Sequence, residues 1–270
     1  FGTTIARRLS GLALQTLFIS SLVMTAALLS WSSLRIIDFG YPWLYETLSI
    51  EQHIEQWAPR NRYRQGLETT TRQERLAIFS AIAAAVHEKG DGLDAIRYRD
   101  GQGDIHPFLR TPEKVHLQSV ARLIDLLYSA AYLALGALVV VAVALRRFKT
   151  PPPRLSRILL GTLVCTTVAL LLVFAIGPAK LFYTAHHWVF PPGEQWYFTY
   201  QESLMTTLMK APDLFGGIAA LLAAAWLLYF GLLFTAARVW LYPKAADADK
   251  TSSDTISLCN PNLQLSRNRE

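Results

Sequence analysis

Between Phe182 and Phe198 the chain reads Phe-Tyr-Thr-Ala-His-His-Trp-Val-Phe-Pro-Pro-Gly-Glu-Gln-Trp-Tyr-Phe. Two imidazoles (His186, His187), two indoles (Trp188, Trp196), a turn at Gly193 and a carboxylate at Glu194 thus follow directly on a hydrophobic run. An imidazole exchanges a proton near neutral pH, and a carboxylate beside it can orient the ring. A bare linker between two apolar segments needs none of these groups. A further histidine, His116, sits in Pro112-Glu-Lys-Val-His116-Leu-Gln-Ser-Val120, again just ahead of a hydrophobic run. The pattern predicts proton-transfer chemistry at a membrane surface.

The elements that position these residues are legible in the hydropathy. Hydrophobic residues make up 52% of the 270 and charged residues 17%. The apolar residues are gathered into four runs, Leu9–Trp31, Ile124–Leu145, Leu155–Ile176 and Leu214–Leu241. Each is close to or above the ~20 residues a helix needs to cross hydrocarbon. Helices are expected because every backbone polar group inside lipid must be satisfied within its own segment. The first run exceeds the 7–15 residues of a signal-peptide core and reads as an uncleaved span.

Charge orients the bundle. Arg7 and Arg8 precede the first run, and Arg146, Arg147, Lys149, Arg154 and Arg157 lie at the link between the second and third. Arg238 and Lys244 close the fourth. Basic clusters on short loops mark the cytoplasmic side, so the net charge of +6 reports topology and predicts no nucleic-acid partner. The expected fold is an α-helical integral membrane protein with four transmembrane helices, both termini cytoplasmic, and a small mixed α/β outer domain between spans 1 and 2. The boundaries are 9–31 for the first span, 32–115 for the outer domain and 116–145 for an interfacial turn plus the second span. A cytoplasmic loop (146–154), the third span (155–177), an outer His/Trp loop (178–213), the fourth span (214–241) and a cytoplasmic tail (242–270) complete it. Cys165 falls in the third span and Cys259 in the polar tail, so no disulfide framework is expected.

Within the outer domain, Thr71-Arg-Gln-Glu74 reads as a capping box ahead of Leu76, Ile78, Phe79, Ile82, Ala83 and Val86 at helical spacing. Ala95–Asp100 and Ile105–Leu109 around Gly-Gln-Gly-Asp predict a hairpin, with Pro107 suited to an edge. Thr111-Pro112 reads as an N-cap with proline at the first helical position, starting a helix that continues into the second span. That helix, ~34 residues and roughly 50 Å long, must stand above a hydrocarbon layer of ~30 Å. His116 then lies ~15 Å above the lipid boundary near Leu126. His187 lies a similar number of residues beyond Gly177-Pro178, so the two histidines reach about the same height.

Lipid ester carbonyls lie at that depth, and acyl transfer there needs a base that works near neutral pH. The nearby helix N-terminus favours neutral His116. Glu194 and Glu202 are candidates to orient an imidazole, and Tyr183, Tyr200 and Lys210 are candidates to stabilise a developing oxyanion. His53, His87 and His106 are expected at the surface, and Asp125 is expected to pair with Arg122 three residues earlier. Trp43, Tyr45, Trp188, Trp196, Tyr197 and Tyr200 fit an interfacial aromatic belt. No metal or nucleotide motif occurs. The expected spans carry no internal histidine for a haem and almost no charge for a transport path.

The stretch His187-Trp-Val-Phe190-Pro-Pro-Gly193-Glu-Gln-Trp196-Tyr-Phe198 resembles the His-x-x-Phe…Gly-x-x-Trp-x-Phe signature of the lipoprotein intramolecular transacylase family. Pro112–Val120 is similar to that family's second histidine motif, and the four-span layout agrees over most of Leu9–Leu241. The distances to Phe190, Gly193, Trp196 and Phe198 favour His187 over His186 as the motif histidine. The family usually has Asp three residues after its first histidine, where this chain has Ser119. The resemblance implies transfer of the sn-2 acyl chain of a diacylglyceryl-cysteine to that cysteine's own α-amino group, giving a lyso-form lipoprotein. It implies His116 and His187 as catalytic residues, no cofactor, and a diacylated lipoprotein N-terminus and membrane phospholipid as partners. It also implies a multi-pass location in a bacterial cytoplasmic membrane with an extracytoplasmic active face. The competing expectation is a non-catalytic accessory or binding protein of the cell envelope, which would tolerate the loss of one imidazole.

Overall fold

The computed structural model describes residues 2–149 and 174–241, with isolated positions between 160 and 172. The third expected span, Leu155–Ile176, lies largely outside the described residues, as do the end of the cytoplasmic loop and the tail 242–270. The described elements are α1 (Gly2–Arg35), α2 (Tyr41–Thr47), α3 (Ile50–Trp57), α4 (Arg72–His87), β1 (Arg97–Arg99), β2 (Ile105–Pro107), α5 (Thr111–Arg147), α6 (Pro178–Val189), α7 (Leu204–Met209) and α8 (Asp213–Leu241). Among the described residues three helices are long and apolar enough to cross a membrane, over Ser10–Arg35, Thr111–Arg147 and Asp213–Leu241. The chain is a mostly helical membrane protein.

α1 packs along both α5 and α8. Its buried face carries Phe18, Ser21, Leu22, Thr25, Ala26 and Ser30, a three- and four-residue spacing that keeps one stripe inward. Lipid offers helices no hydrophobic drive to associate, so close approach through small residues matters more than bulk. The hydroxyls are satisfied on their own helix: Thr25 Oγ1 donates to Ser21 O at 2.8 Å, and Ser30 Oγ to Ala26 O at 2.7 Å. Trp226 Nε1 on α8 reaches Val23 O at 3.1 Å, and Phe18, Leu22, Val141, Leu145 and Leu241 close one end of the bundle.

The segment between α1 and α5 has its own core around Tyr41, Tyr45, Ile50, Ile54, Ile78, Phe79 and Ile82. Tyr41 stacks on Phe79 at 3.8 Å, and its hydroxyl donates to Leu208 O at 2.8 Å, tying this core to α7. Arg75 is buried there, but its guanidinium donates to Thr70 Oγ1, Tyr45 Oη and the Glu68 carbonyl at 2.9–3.0 Å. A buried cation is tolerated when its donors are met in this way. α2 seats on the first turns of α8 at Gly217, where a Cβ would come within 2.7 Å of Leu44 Cδ2.

The expected helix and hairpin boundaries shift in detail. Thr71 Oγ1 accepts from the Glu74 amide at 3.2 Å, but the Glu74 carboxylate accepts from the Arg99 amide at 2.7 Å. It thereby caps β1 rather than its own helix. β1 and β2 pair antiparallel with Arg97 opposite Pro107, so the proline falls at the last position of a three-residue strand. The cap of α5 is Arg110, whose amide donates to Glu113 Oε2 at 2.6 Å, one residue ahead of the expected Thr111.

Of the three histidines expected at the surface, His53 and His87 are packed inward, while His106 stays partly exposed. His53 is buried at 8% exposure, its ring edge-on to Tyr200 at 4.4 Å and beside Trp57 of its own helix. His87 is half-buried: its Nδ1 donates to Ala83 O at 2.6 Å, and its Nε2 accepts from Trp31 Nε1 at 2.8 Å. His106 meets the Asp100 carboxylate at 2.7 Å across the hairpin.

Candidate active site

The first turns of α5 present His116, Ser119 and Arg122 three residues apart, hence on one side of the helix. Opposite them comes the segment after α6. That helix begins where Gly177 takes φ +86° and Pro178 fills its first turn, and it ends at Phe190, whose backbone is extended. The expected outer loop is therefore helical in its first third, and His186 and His187 stand on the last turn of α6. Pro191 and Pro192 cannot continue a helix, and Gly193 at φ +87° completes a turn in which the Glu194 amide donates to Pro191 O at 3.2 Å. The reversal carries Glu194 back onto α5.

There Glu194 Oε1 lies 3.5 Å from His116 Nδ1, with the two side chains 6% and 12% exposed. Both atoms are buried and, among the described residues, neither has a hydrogen-bond partner, so the two unmet groups face each other at ion-pair distance. The second carboxylate oxygen, Oε2, accepts from Ser119 Oγ at 2.6 Å, and Ser119 Oγ accepts from Arg122 Nη2 at 2.7 Å. A chain of contacts therefore runs Arg122, Ser119, Glu194, His116. Arg122 turns to Ser119 rather than to Asp125, the partner expected from sequence. Ser119 occupies the position where an Asp is usual in the resembling family, and here a hydroxyl bridges a guanidinium to a carboxylate donated by another segment.

Aromatic rings enclose the imidazole. Phe190 and Phe198, both buried, have ring centroids 4.7 and 6.3 Å from that of His116. His186 packs on the same Phe190 at 5.4 Å and on Trp196 at 4.9 Å. It lies close enough to His116 for a charge on one ring to be felt by the other. His187 is exposed and meets Trp196 edge-on at 5.2 Å. With Nδ1 turned to a carboxylate, the other nitrogen of His116 is the one available to exchange a proton.

The remaining expected residues sit elsewhere. Glu202 Oε2 accepts from the Thr199 amide at 3.3 Å, a contact that holds its carboxyl below the usual range. Tyr200 donates its hydroxyl to Ala211 O at 2.6 Å and packs on His53 and Trp57; burial pushes its phenol up. Lys210 Nζ donates to Leu48 O at 2.6 Å and lies 3.6 Å from Asp213. Tyr183 packs against Trp196 and Tyr197 at 5.6 and 5.7 Å. Among the described residues no group of three or more His, Cys, Asp and Glu could hold a metal ion.

Two solved structures share this fold over most of its length. Both are in meso structures of the membrane integral lipoprotein intramolecular transacylase Lit from Bacillus cereus. One, carrying a histidine-to-arginine mutation, has a TM-score of 0.62 at 15% identity and covers 93% of this chain and 98% of its own. The other has a TM-score of 0.60 at 16% identity and covers 86% and 95%. No family model and no curated protein matches. At such identities the likeness is one of fold.

Proposed function

We propose that this chain is a membrane acyltransferase that moves the sn-2 acyl chain of a diacylglyceryl-cysteine onto the cysteine's own α-amino group. The observation that carries the reading is the His116–Glu194 contact. It is a buried imidazole held against a carboxylate at the head of a membrane-crossing helix, in a fold shared with Lit. In the reaction the amine nitrogen attacks the sn-2 ester carbonyl, forming a C–N bond. The ester C–O bond then breaks, and the proton lost by nitrogen ends on the glycerol oxygen. Nothing is oxidised or reduced, and no water is consumed.

His116 takes the amine proton. Glu194 faces Nδ1 and stabilises the imidazolium that forms, in the manner of a carboxylate that orients a catalytic histidine. Ser119 and Arg122 hold Glu194 in place as positioning residues. Phe190 and Phe198 shield the ring from water that would otherwise compete with the amine. The second imidazole comes from the His186–His187 pair. His186 is favoured by its place on Phe190 beside His116, and the motif spacing favours His187. The site faces the outer side of a bacterial cytoplasmic membrane in this reading, with a lipoprotein N-terminus as substrate.

The test is mass spectrometry of a reporter lipoprotein's N-terminal peptide from a host unable to N-acylate lipoproteins. The reading expects an N-acylated lyso-form with the wild-type chain and none with inserted His116→Ala. Of His186→Ala and His187→Ala, the variant that abolishes the product identifies the second imidazole. An unmodified diacylglyceryl peptide beside an inserted wild-type chain would overturn the reaction and favour a binding role.

A further inference from the structure

We infer that the seam between α1 and α5 holds a second lipid site, separate from His116 and suited to a zwitterionic phospholipid with a primary ammonium headgroup. An open cleft of about 470 Å³ there is lined by Ser32, Arg35, His87, Asp125, Tyr128 and Tyr132. It adjoins an apolar cleft of about 150 Å³ lined by Met24, Leu28, Trp31, Ile124, Leu127 and Ala131. Tyr128 is the wall common to both and stacks with Tyr132 at 6.0 Å. On α1 the polar lining follows the apolar lining toward the helix end, while on α5 the two linings lie side by side about Tyr128.

The charges of the polar cleft fit such a headgroup. His87 is spent, since both ring nitrogens are engaged by Ala83 O and Trp31 Nε1. That leaves Arg35 and Asp125, and among the described residues neither side chain makes an ion pair or a hydrogen bond. An ionisable group on a membrane-crossing helix normally has a partner or a function. A phosphate answers the Arg35 guanidinium, and an ammonium with N–H donors answers the Asp125 carboxylate. A trimethylated ammonium lacks those donors, and a phosphatidylglycerol headgroup carries its charge on the phosphate and offers Asp125 only neutral hydroxyls, with no positive charge to balance the carboxylate. The site rests on the membrane reading of α1 and α5 and does not depend on the proposed reaction.

The test is native mass spectrometry of the full chain released from bilayers of equimolar phosphatidylethanolamine, phosphatidylcholine and phosphatidylglycerol. Wild type is expected to retain phosphatidylethanolamine roughly tenfold over the other two, the scale of one charge-assisted hydrogen bond. Asp125→Asn should erase that preference while lipid is still carried, and Arg35→Gln should reduce all retained lipid. His116→Ala should keep the wild-type preference, which separates this site from the proposed chemistry. Equal retention of the three lipids by wild type, meaning annular lipid only, or a preference unchanged in Asp125→Asn, would overturn the inference.

Discussion

Ser119 stands between two groups that would otherwise be independent: it donates to Glu194 at 2.6 Å and accepts from Arg122 at 2.7 Å. Without the hydroxyl, the carboxylate loses the contact that aims its other oxygen at His116. Ser119→Ala is expected to lower acyl transfer about tenfold or more, the equivalent of one hydrogen bond to a charged group. Glu194→Gln keeps the shape but removes the charge that supports an imidazolium, and about 100-fold is expected. Initial rates of N-acyl product at matched membrane levels check both. His116 was picked out by its place just ahead of an apolar run, and it stands in the first turns of α5 facing Glu194. Glu194 was one of two carboxylates that sequence could not separate; the Pro191–Gly193 reversal decides between them, and its path depends on backbone angles. The Arg122–Ser119–Glu194 chain was missed although the three-residue spacing of its first link was visible, because the acceptor for Ser119, Glu194, comes from a segment 75 residues away.

At the scale of elements, the outer segment is joined to the bundle by close contacts as well as by chain connection. Gly217 lets Leu44 of α2 lie where a Cβ would sit, 2.7 Å from Leu44 Cδ2. Gly217→Val forces α2 off α8, and overpacking of this kind costs about 1–3 kcal/mol. The thermal midpoint in detergent should fall, while the same substitution at Gly136, where a Cβ meets nothing within 4 Å, should leave it near wild type. The long helices were legible from hydropathy, because lipid forces continuous apolar runs. α6 was read as a loop because its aromatic and histidine content obscures a helical period that Gly177 and Pro178 start and Pro191 stops. The hairpin was found but is shorter than expected, since Pro107 offers no amide to extend the ladder.

For the molecule as a whole, acid should be destabilising in a defined window. Burial pushes His53 down to about 4, with Lys210 adding to the effect, and burial also lowers His87. Both rings are favoured neutral in the folded state, against an unfolded value near 6.5. Their contribution is therefore fully present above pH ~6.5 and is lost as pH falls toward the folded values, since the unfolded chain binds the extra protons. The thermal midpoint should drop between about pH 6.5 and 4, and His53→Asn should flatten that slope. The layout of spans was read from charge and hydropathy, and three membrane-crossing helices are present among the described residues. The central claim is that acyl transfer occurs within one lipid-modified cysteine. Its most direct test is to reconstitute the purified chain with a diacylglyceryl-cysteine peptide deuterated in the sn-2 acyl chain and follow it by fragmentation mass spectrometry. The account predicts an unchanged total mass with the label moved from the glyceryl group to the α-amino nitrogen. A label left on the glyceryl group, or an unlabelled N-acyl chain taken from bilayer phospholipid, would contradict it.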